Sequence, residues 1–414
     1  MVAVKHTRTE QSSIQLRRRR AAIEDGLAHG ARLFPRDPRP GEPVTVAFTA
    51  LAARPIDLVA VYFTTDGSEP RGERGKARRG FVVEAEAGLR ETDAATGLPV
   101  REWRATLPAQ PDGTLVRYRA EGWAVRGPRQ SFYADRADPV SGERAGGRVF
   151  AYSVDTFQAP EWLDDAIIYQ VLVDRFSAAE GEPPVRDPGS LTGFYGGTLA
   201  GVLDQLEYIQ AAGATALWLT PVLESPSHHG YDPASFYYVA KRYGTNETLR
   251  RLIREAHQRE MKVILDFVAN HTSTEHPLFQ RAQADPESTL RAWYTFGDYP
   301  PHGYRTYALV EGMPELNTDH PDVRRYLTTA ARFWLSELGA DGLRLDYVTG
   351  PSRAFWTIFQ REIKRDFPQA LTLGEVTEPA SELATYAGRM DAVMDFPLAT
   401  HLREVFARRA EPLE

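Results

Sequence analysis

The chain has 414 residues, more than one ordinary domain needs, so we expect two domains or one large barrel with additions. Its 49 Lys and Arg against 56 Asp and Glu give a net charge of −7, and 42% of its residues are hydrophobic, as in ordinary globular proteins. This composition argues against a disordered chain and against a nucleic-acid-binding protein. The absence of cysteine excludes disulfides, thiolate metal ligands and a cysteine nucleophile. No apolar run approaches the roughly 18–20 residues that would span a membrane.

Residues 1–30 are polar and contain a run of four arginines at 17–20. No apolar stretch of about 7–15 residues comes after this run, as a secretory signal would require. We therefore predict a disordered leader and a cytoplasmic location.

Residues 31–158 have the period of two that is typical of half-buried strands. Val116 and Tyr118, for example, alternate with charged residues. Several such strands separated by turn signals predict an all-β, immunoglobulin-like sandwich as the N-terminal domain. The simplest role of this domain is to pack against the C-terminal part of the chain. The alternative is a carbohydrate-binding module that presents exposed aromatic side chains such as Trp103 or Trp123.

Residues 159–414 alternate apolar runs with amphipathic helices, the pattern of a parallel sheet with helical crossovers. The six predicted strands are residues 167–173, 216–219, 263–267, 342–345, 371–373 and 392–394. A helix is predicted from Pro321, because proline is favoured at the first helical position. We predict an α/β fold of the (β/α)8 TIM-barrel type, truncated after about six strands. The stretch 272–318 lacks a clean period and predicts an inserted loop domain.

The strand ends carry the residues with catalytic potential, because the active site of a parallel barrel lies where its strands end. Asp346 and Glu375 close two consecutive strands, and adjacent strands lie about 4.8 Å apart. Two carboxylates at such a distance are what a retaining glycosidase requires. Arg344 shares a strand face with Asp346 and would keep it ionised, whereas burial would raise the pKa of Glu375. This asymmetry favours Asp346 as nucleophile and Glu375 as proton donor.

The strand-end motifs resemble those of glycoside hydrolase family 13, the α-amylase family. The resemblance covers residues 162–400 and rests on DFVANH at 266–271, GLRLD at 342–346, the isolated Glu375, MPELN at 313–317 and HGYD at 229–232. The MPELN form is similar to that of the neopullulanase, cyclomaltodextrinase and maltogenic amylase group. The resemblance implies a retaining α-glucan hydrolase that cleaves α-1,4 bonds by double displacement. Cleavage of α-1,6 bonds and transglycosylation remain open.

The resemblance also implies roles for individual residues. Asp346 would be the nucleophile and Glu375 the acid and base. The substrate-binding residues would be Arg344, which orients Asp346, and His271, Tyr231, His229 and Asp232, which line the sugar pocket. Asn270 would be a calcium ligand, so calcium is a possible cofactor and no organic cofactor is implied. Calcium-dependent relatives commonly carry a histidine four residues after the nucleophile, where this chain has Gly350.

One part of the family pattern is absent. Family members have a third carboxylate in a His-Asp motif after the seventh strand, and no His-Asp pair occurs after Glu375 here. About 20 residues come after the sixth strand, whereas a βαβ unit needs roughly 30 or more. We therefore expect a fragment with a missing C-terminal segment, a truncated reading frame, or half of an assembly completed by another chain. A homo-oligomer is a further possibility. The alternative function is a non-catalytic α-glucan-binding protein. A phosphate-handling barrel is disfavoured, because no glycine-rich loop comes after a late strand.

Overall fold

The computed structural model describes residues 8–135, 137–138, 142–143, 147–179, 190 and 192–408. Its strands are β1 (Leu33–Phe34), β2 (Val44–Leu51), β3 (Leu58–Thr64), β4 (Arg71–Glu73), β5 (Lys76–Arg79), β6 (Phe81–Thr92), β7 (Pro99–Leu107), β8 (Thr114–Trp123), β9 (Ser131–Tyr133), β10 (Ala137–Asp138), β11 (Gly142–Glu143), β12 (Phe150–Val154), β13 (Ile168–Val171), β14 (Ala216–Leu219), β15 (Lys262–Phe267), β16 (Gly342–Leu345), β17 (Leu371–Gly374) and β18 (Ala392–Val393).

Most of the helices come after strand β13. The α-helices are α1 (Arg8–Asp25), α2 (Val173–Phe176), α3 (Leu199–Asp204), α4 (Leu206–Ala211), α5 (Asn246–His257), α6 (Pro277–Ala284), α7 (Pro321–Ser336), α8 (Arg353–Asp366), α9 (Ala380–Leu383) and α10 (Phe396–Leu402). Short 3-10 turns lie at Glu161–Leu163, Thr289–Trp293, Tyr307–Leu309 and Ala384–Tyr386, and a π-helical turn at Arg403–Arg408. Within the described part of the chain, no helix is both long and apolar enough to cross a membrane.

The N-terminal half is an antiparallel sheet of order β1-β2-β7-β6-β3-β8-β12, with β9 paired to β8. The long strand β6 pairs with β3 through its first residues and with β7 through its last, so it joins the two halves of the sheet. Side chains from both halves, such as Phe48 and Tyr118, share one core. The predicted strands thus form one antiparallel sheet, and the immunoglobulin-like sandwich stays a prediction.

Two expectations for the N-terminal half need correction. The proposed sugar-binding aromatics Trp103 and Trp123 are buried, with 2% and 6% of their surface exposed, so neither can present a ring to a ligand. Residues 8–25 form helix α1 instead of a disordered leader. The physical reason is burial of Ile23, which packs with Ala28 and Val100 against the sheet.

The C-terminal half contains a six-stranded parallel sheet of order β13-β14-β15-β16-β17-β18. These six strands confirm the sequence prediction and fit a TIM barrel truncated after six strands. Helix α7 begins at Pro321, as predicted, with His320 as its N-cap. The stretch 272–318 lies between β15 and α7 and holds helix α6 and several isolated β-bridges. We call this stretch the excursion.

The two halves pack on each other through helix α8 and strand β12. Leu115 and Ala151 of the N-terminal half form an apolar cluster with Ile358 of α8. The Arg361 side chain also donates to the carbonyl oxygen of Gly113 at 2.9 Å. Helix α8 thus links the parallel sheet to the N-terminal half.

Candidate active site

Three neighbouring strands bring their charged residues together at one end of the parallel sheet. Asp266 of β15 is paired in register with Arg344 of β16, and Leu345 of β16 is paired with Gly374 of β17. Asp346 and Glu375 are the next residues along β16 and β17, so they leave the sheet at the same level. Parallel register alone therefore places three carboxylates around one arginine.

The Arg344 guanidinium contacts all three carboxylates. Its Nη1 lies 2.9 Å from Asp266 Oδ1 and 2.8 Å from Asp346 Oδ1, and its Nη2 lies 2.8 Å from Glu375 Oε1. The guanidinium carbon also lies 5.1 Å from the centre of the Trp218 ring. Charge-assisted contacts of this kind fix side-chain orientation. One rigid cation thus holds Asp346 and Glu375 beside each other.

The three carboxylates differ in how far a ligand can reach them. The side chain of Asp266 is 0% exposed, that of Asp346 10% and that of Glu375 23%. Asp266 is therefore closed to a substrate, whereas Asp346 and Glu375 face the open side of the cluster. Burial lowers the pKa of Arg344, but the surrounding carboxylates outweigh this and raise it overall. Arg344 is a permanent cation.

Burial raises the pKa of both Asp346 and Glu375. For Asp346 the contact with Arg344 acts against burial. The hydrogen bond between the two carboxyl groups acts in opposite directions, because it lowers the pKa of Asp346 and raises that of Glu375. The raised pKa of Glu375 agrees with the sequence-based expectation. Asp346 differs from it, because Arg344 offsets burial without reversing it.

The backbone directly after Asp346 is strained and contacts Glu375. Tyr347 has φ of 43°, in the left-handed region that a bulky residue rarely adopts. In this conformation its N–H donates to Glu375 Oε2 at 3.0 Å. Such strain costs about 1–3 kcal/mol and concentrates at functional sites. The strained turn thus gives Glu375 a second fixed donor besides Arg344.

Asp266 is the site residue that the sequence analysis quoted only as part of a motif. Its Oδ2 accepts from the Tyr231 hydroxyl at 2.9 Å and from Trp218 Nε1 at 3.1 Å. Burial raises the pKa of Asp266 to about 7, against the opposing effect of Arg344. The signal for it was present in the sequence, since Asp266 is an acidic residue inside the apolar strand β15. Trp218 carried no comparable signal.

His271 lies beside Tyr231 and is neutral. Its Nε2 lies 2.7 Å from the carbonyl oxygen of Tyr231, which can only accept, so Nε2 carries the proton. Burial lowers the pKa of His271 to about 4. The Tyr307 ring stacks on the imidazole with centroids 5.0 Å apart. Tyr307, which was not predicted, also contacts the Tyr347 ring with centroids 4.8 Å apart, and burial raises its pKa to about 12.

A serine-rich turn positions His229 and Asp232. The N–H of Tyr231 donates to His229 Nδ1 at 3.0 Å, which leaves the proton on Nε2. Ser227 contacts the same Nδ1 at 3.1 Å and also donates to Asp232, as Ser225 does at 2.6 Å. This turn requires glycine at position 230, because φ is +79° and a Cβ would lie 2.5 Å from the carbonyl oxygen of Pro221.

The structure therefore connects the predicted residues in one network. Asp346, Glu375 and Arg344 form its centre, and Asp266 links them to Tyr231. Tyr231 in turn reaches His271 and His229 through backbone contacts, and the serines link His229 to Asp232. Asn270 joins through His271, 3.1 Å from its Nδ1. The residues that the sequence analysis did not assign are Asp266, Trp218, Tyr307, Tyr347, Ser225 and Ser227.

The Asn270 side chain is fixed between His271 and Gly350. His271 Nδ1 is an acceptor, so Asn270 must turn its NH2 group toward it and its oxygen away. That oxygen faces Gly350, where a Cβ atom would lie only 2.1 Å from it. Calcium takes about 6–8 oxygen ligands. Among the residues that the structure describes, no group of three or more His, Cys, Asp or Glu side chains is arranged to hold a metal.

Comparison with known proteins adds independent support for the family. The family model described as alpha amylase, catalytic domain, matches residues 170–414. Alpha-amylase 2 from Dictyoglomus thermophilum is 38% identical over 254 residues, which cover 61% of this chain and 44% of that protein. Neopullulanase 2 from Thermoactinomyces vulgaris is 38% identical over 288 residues, which cover 64% of this chain and 48% of that protein. The chain thus spans about half the length of these curated relatives.

A solved cyclomaltodextrinase structure resembles nearly the whole chain. The superposition covers 94% of this chain and 66% of that one, with a TM-score of 0.58 and 25% sequence identity. The likeness therefore extends beyond the parallel sheet into the N-terminal half.

Proposed function

The chain belongs to the α-amylase family of glycoside hydrolases, and from this premise we propose a retaining α-glucan hydrolase site. Asp346 would be the nucleophile, and Glu375 the general acid and base. The observation that carries the proposal is the Arg344 guanidinium with three carboxylates around it, two of them reachable by a ligand.

The excess of carboxylates over cations suits this chemistry. Asp266, Asp346 and Glu375 face one guanidinium, so the cluster carries surplus negative charge unless a proton or a cationic group is present. Glycoside hydrolysis passes through an oxocarbenium-like transition state, whose positive charge such a site stabilises. A proton on Glu375 removes part of the surplus before the substrate reacts, which is what a general acid requires.

The reaction would proceed in two displacements. Glu375 donates its proton to the glycosidic oxygen while that oxygen leaves C1, and Asp346 forms a bond to C1. A water molecule then gives a proton to Glu375 and attacks C1, and the bond to Asp346 breaks. Each displacement inverts C1, so the product keeps the configuration of the substrate. Arg344 holds both carboxyl groups through the cycle without changing its charge.

The substrate class we propose is an α-glucan with α-1,4 bonds. Support comes from the names of the relatives, an alpha-amylase, a neopullulanase and a cyclomaltodextrinase. The sugar at the reacting position would stack on Tyr231 and bind His229 and Asp232. His229 suits this role because its Nε2 carries a proton that it can donate to a sugar hydroxyl. His271, whose two ring nitrogens contact the Tyr231 carbonyl and the Asn270 amide, would hold Tyr231 in place. Cleavage of α-1,6 bonds is the alternative specificity.

The domain bounds and the cellular location are also proposals. We propose that residues 31–158 are an immunoglobulin-like sandwich and residues 159–414 a catalytic barrel with the excursion inserted in it. A cytoplasmic location is proposed from the sequence of the leader alone.

The test of the function is release of reducing sugar by the full chain from maltodextrin, cyclodextrin and pullulan. We expect activity on at least one of them, its loss in Asp346→Asn and Glu375→Gln, and its retention in the exposed control Asp164→Asn. If no substrate releases sugar, the hydrolase proposal fails. Glucan binding that persists in such an inactive protein would support the alternative, a non-catalytic α-glucan-binding protein.

A further inference from the structure

The excursion returns to the barrel directly beside His271. The N–H of Leu316 donates to the Asn270 carbonyl at 2.9 Å and the N–H of Thr272 donates to the Pro314 carbonyl at 3.1 Å. His271 therefore faces Glu315 in an antiparallel bridge. On its other side, the N–H of Glu315 donates to the carbonyl of Arg305 at 3.0 Å. Three chain segments thus lie side by side, with His271 on the first.

An ion pair joins the second and third segments. Arg305 Nη2 lies 2.7 Å from Glu315 Oε2, and the two side chains are only 15% and 13% exposed. A short ion pair that is largely removed from solvent is weakly screened and directional, unlike a surface pair. It links Arg305, in the middle of the excursion, to Glu315, which forms the β-bridge with His271.

The space next to this pair is balanced in charge. Among the residues that line a cavity of about 30 Å³ beside Asn270, the charged ones are two arginines and two acidic residues, namely Arg148, Arg305, Glu315 and Asp319. Glu315 is engaged by Arg305, and Asp319 accepts from the Ser352 hydroxyl at 2.6 Å. A calcium site needs an excess of oxygen ligands and negative charge, whereas here the guanidinium groups would repel a divalent cation.

We propose that the Arg305–Glu315 ion pair fastens the excursion to the barrel in this chain, in the place where the family resemblance implied calcium, and that Glu315 is a positioning residue for His271. The part of the proposal in which this ion pair holds the excursion on the barrel does not require the chain to be catalytically active. Only the consequence for sugar binding at Tyr231, which His271 contacts through the Tyr231 carbonyl, rests on the function proposed above.

The first experiment measures thermal unfolding of the full chain with a chelator and with millimolar CaCl2, together with calorimetric titration of CaCl2. A bound ion would raise the melting temperature by several degrees in proportion to the logarithm of its excess over Kd. We expect a difference below about 1 °C between the two conditions and no binding heat. A saturable rise in melting temperature, or a calcium-binding isotherm, would overturn the proposal.

The second experiment tests the ion pair with Glu315→Gln, Arg305→Met and the double variant. We expect each single change to lower the melting temperature, and the double variant to be lowered by clearly less than the sum. The control is Glu311→Gln, whose carboxylate is 74% exposed, and it should match the parent. Additive effects of the two changes would contradict a direct pair. If the Met variant does not fold, Arg305→Lys replaces it in the same comparison, because it keeps the positive charge and changes only the geometry of the pair.

The kinetic readout separates positioning from simple structural support. If the parent is active, Glu315→Gln should raise KM about fivefold while kcat changes less than twofold, because His271 holds Tyr231 at the sugar position and does not react. A fall in kcat with unchanged KM would contradict a positioning role. If the parent is inactive on every glucan, the proposed function fails, whereas the calcium and double-variant results still decide the fastening proposal.

Discussion

The parallel sheet has a buried cluster of charged side chains at each end of its strands. The number of carboxylates per cation differs between the two clusters. At the amino-terminal ends, Lys364 Nζ lies 3.0 Å from Asp391 Oδ2, with side chains 0% and 3% exposed. At the carboxyl-terminal ends, Arg344 faces three carboxylates, of which Glu375 is 23% exposed. The first cluster is a closed pair, whereas the second is unbalanced and open to solvent.

The difference separates structural from chemical use of buried charge. Lys364 also donates to the carbonyls of Pro368 and Ala370, and Asp391 accepts from the N–H of Thr372, so every charge there has a partner inside the protein. The Arg344 cluster keeps surplus negative charge that only a proton or a ligand can neutralise. In barrels, residues at the carboxyl ends of strands perform the chemistry and those at the amino ends support stability.

The largest expected effect is on activity at the open cluster. Asp346→Asn should lower kcat/KM by at least about 10³-fold, the scale for removing a catalytic group. The unfolding free energy should change little, because Arg344 keeps two carboxylates. A folded variant that retains more than a few per cent of the parent's kcat/KM would contradict a chemical role for the open cluster.

The closed pair should respond in the opposite way. Lys364→Met leaves Asp391 buried without its cation and should lower the unfolding free energy by about 3–5 kcal/mol. In the double variant Lys364→Met, Asp391→Asn, most of this loss should be recovered, because no unpaired charge remains. Denaturant unfolding checks both, and kcat of the folded fraction should stay within about twofold of the parent. A stable but inactive Lys364→Met protein would contradict a structural role for this pair and a chemical role for the Arg344 cluster.

The pH dependence of stability should report Asp266. Its pKa lies near 7 in the folded protein, above its ordinary value of about 3.8. The folded state therefore holds the proton more tightly, so this residue's contribution to stability is full below about pH 4 and is lost as the pH rises through about 7. Asp266→Asn should make that slope shallower, and Asp346 and Glu375, whose pKa values are also raised, supply the remainder. Unfolding curves at pH 4.5, 6 and 7.5 that run parallel for parent and variant would exclude the shift.

The smallest effect is expected at a half-exposed pair on the amino-terminal side. His257 Nε2 lies 2.6 Å from Asp341 Oδ2, but the histidine side chain is 40% exposed. Asp341 keeps Lys262 at 3.1 Å when His257 is lost. His257→Ala should therefore cost only about 0.2–1 kcal/mol of unfolding free energy. A loss of unfolding free energy as large as that of Lys364→Met would mean that burial does not decide how much each ion pair contributes to stability.

The strands and the residues at their ends were predictable because hydrophobic period and motif spacing are local signals. Strands β14 and β16 occur at the predicted residues, and Asp346, Glu375 and Arg344 meet as the register requires. Helix α1 was not predictable in the same way. Its stability comes from Ile23 packing against the distant Val100, and its own sequence has no apolar face.

The missed site residues share one property, which is that their role depends on a neighbouring strand or turn. Trp218 is an ordinary core residue by pattern and gains its function only through Asp266 on the next strand. Tyr307 lies in the excursion and reaches His271 only after that segment folds back. The buried Trp103 shows the reverse error, because an alternating pattern does not tell which face of a strand the rest of the fold will cover.

The most direct test of the retaining site is covalent trapping with a slow fluorinated α-glucosyl fluoride, combined with intact mass and peptide mapping. Fluorination slows breakdown of the glycosyl-enzyme, so the intermediate accumulates even where turnover is weak. We predict one fluoroglucosyl group per chain, attached to Asp346, and no labelling of Asp346→Asn. Absence of label on the folded parent, or its attachment to Glu375 or Asp266, would contradict a retaining site with Asp346 as nucleophile.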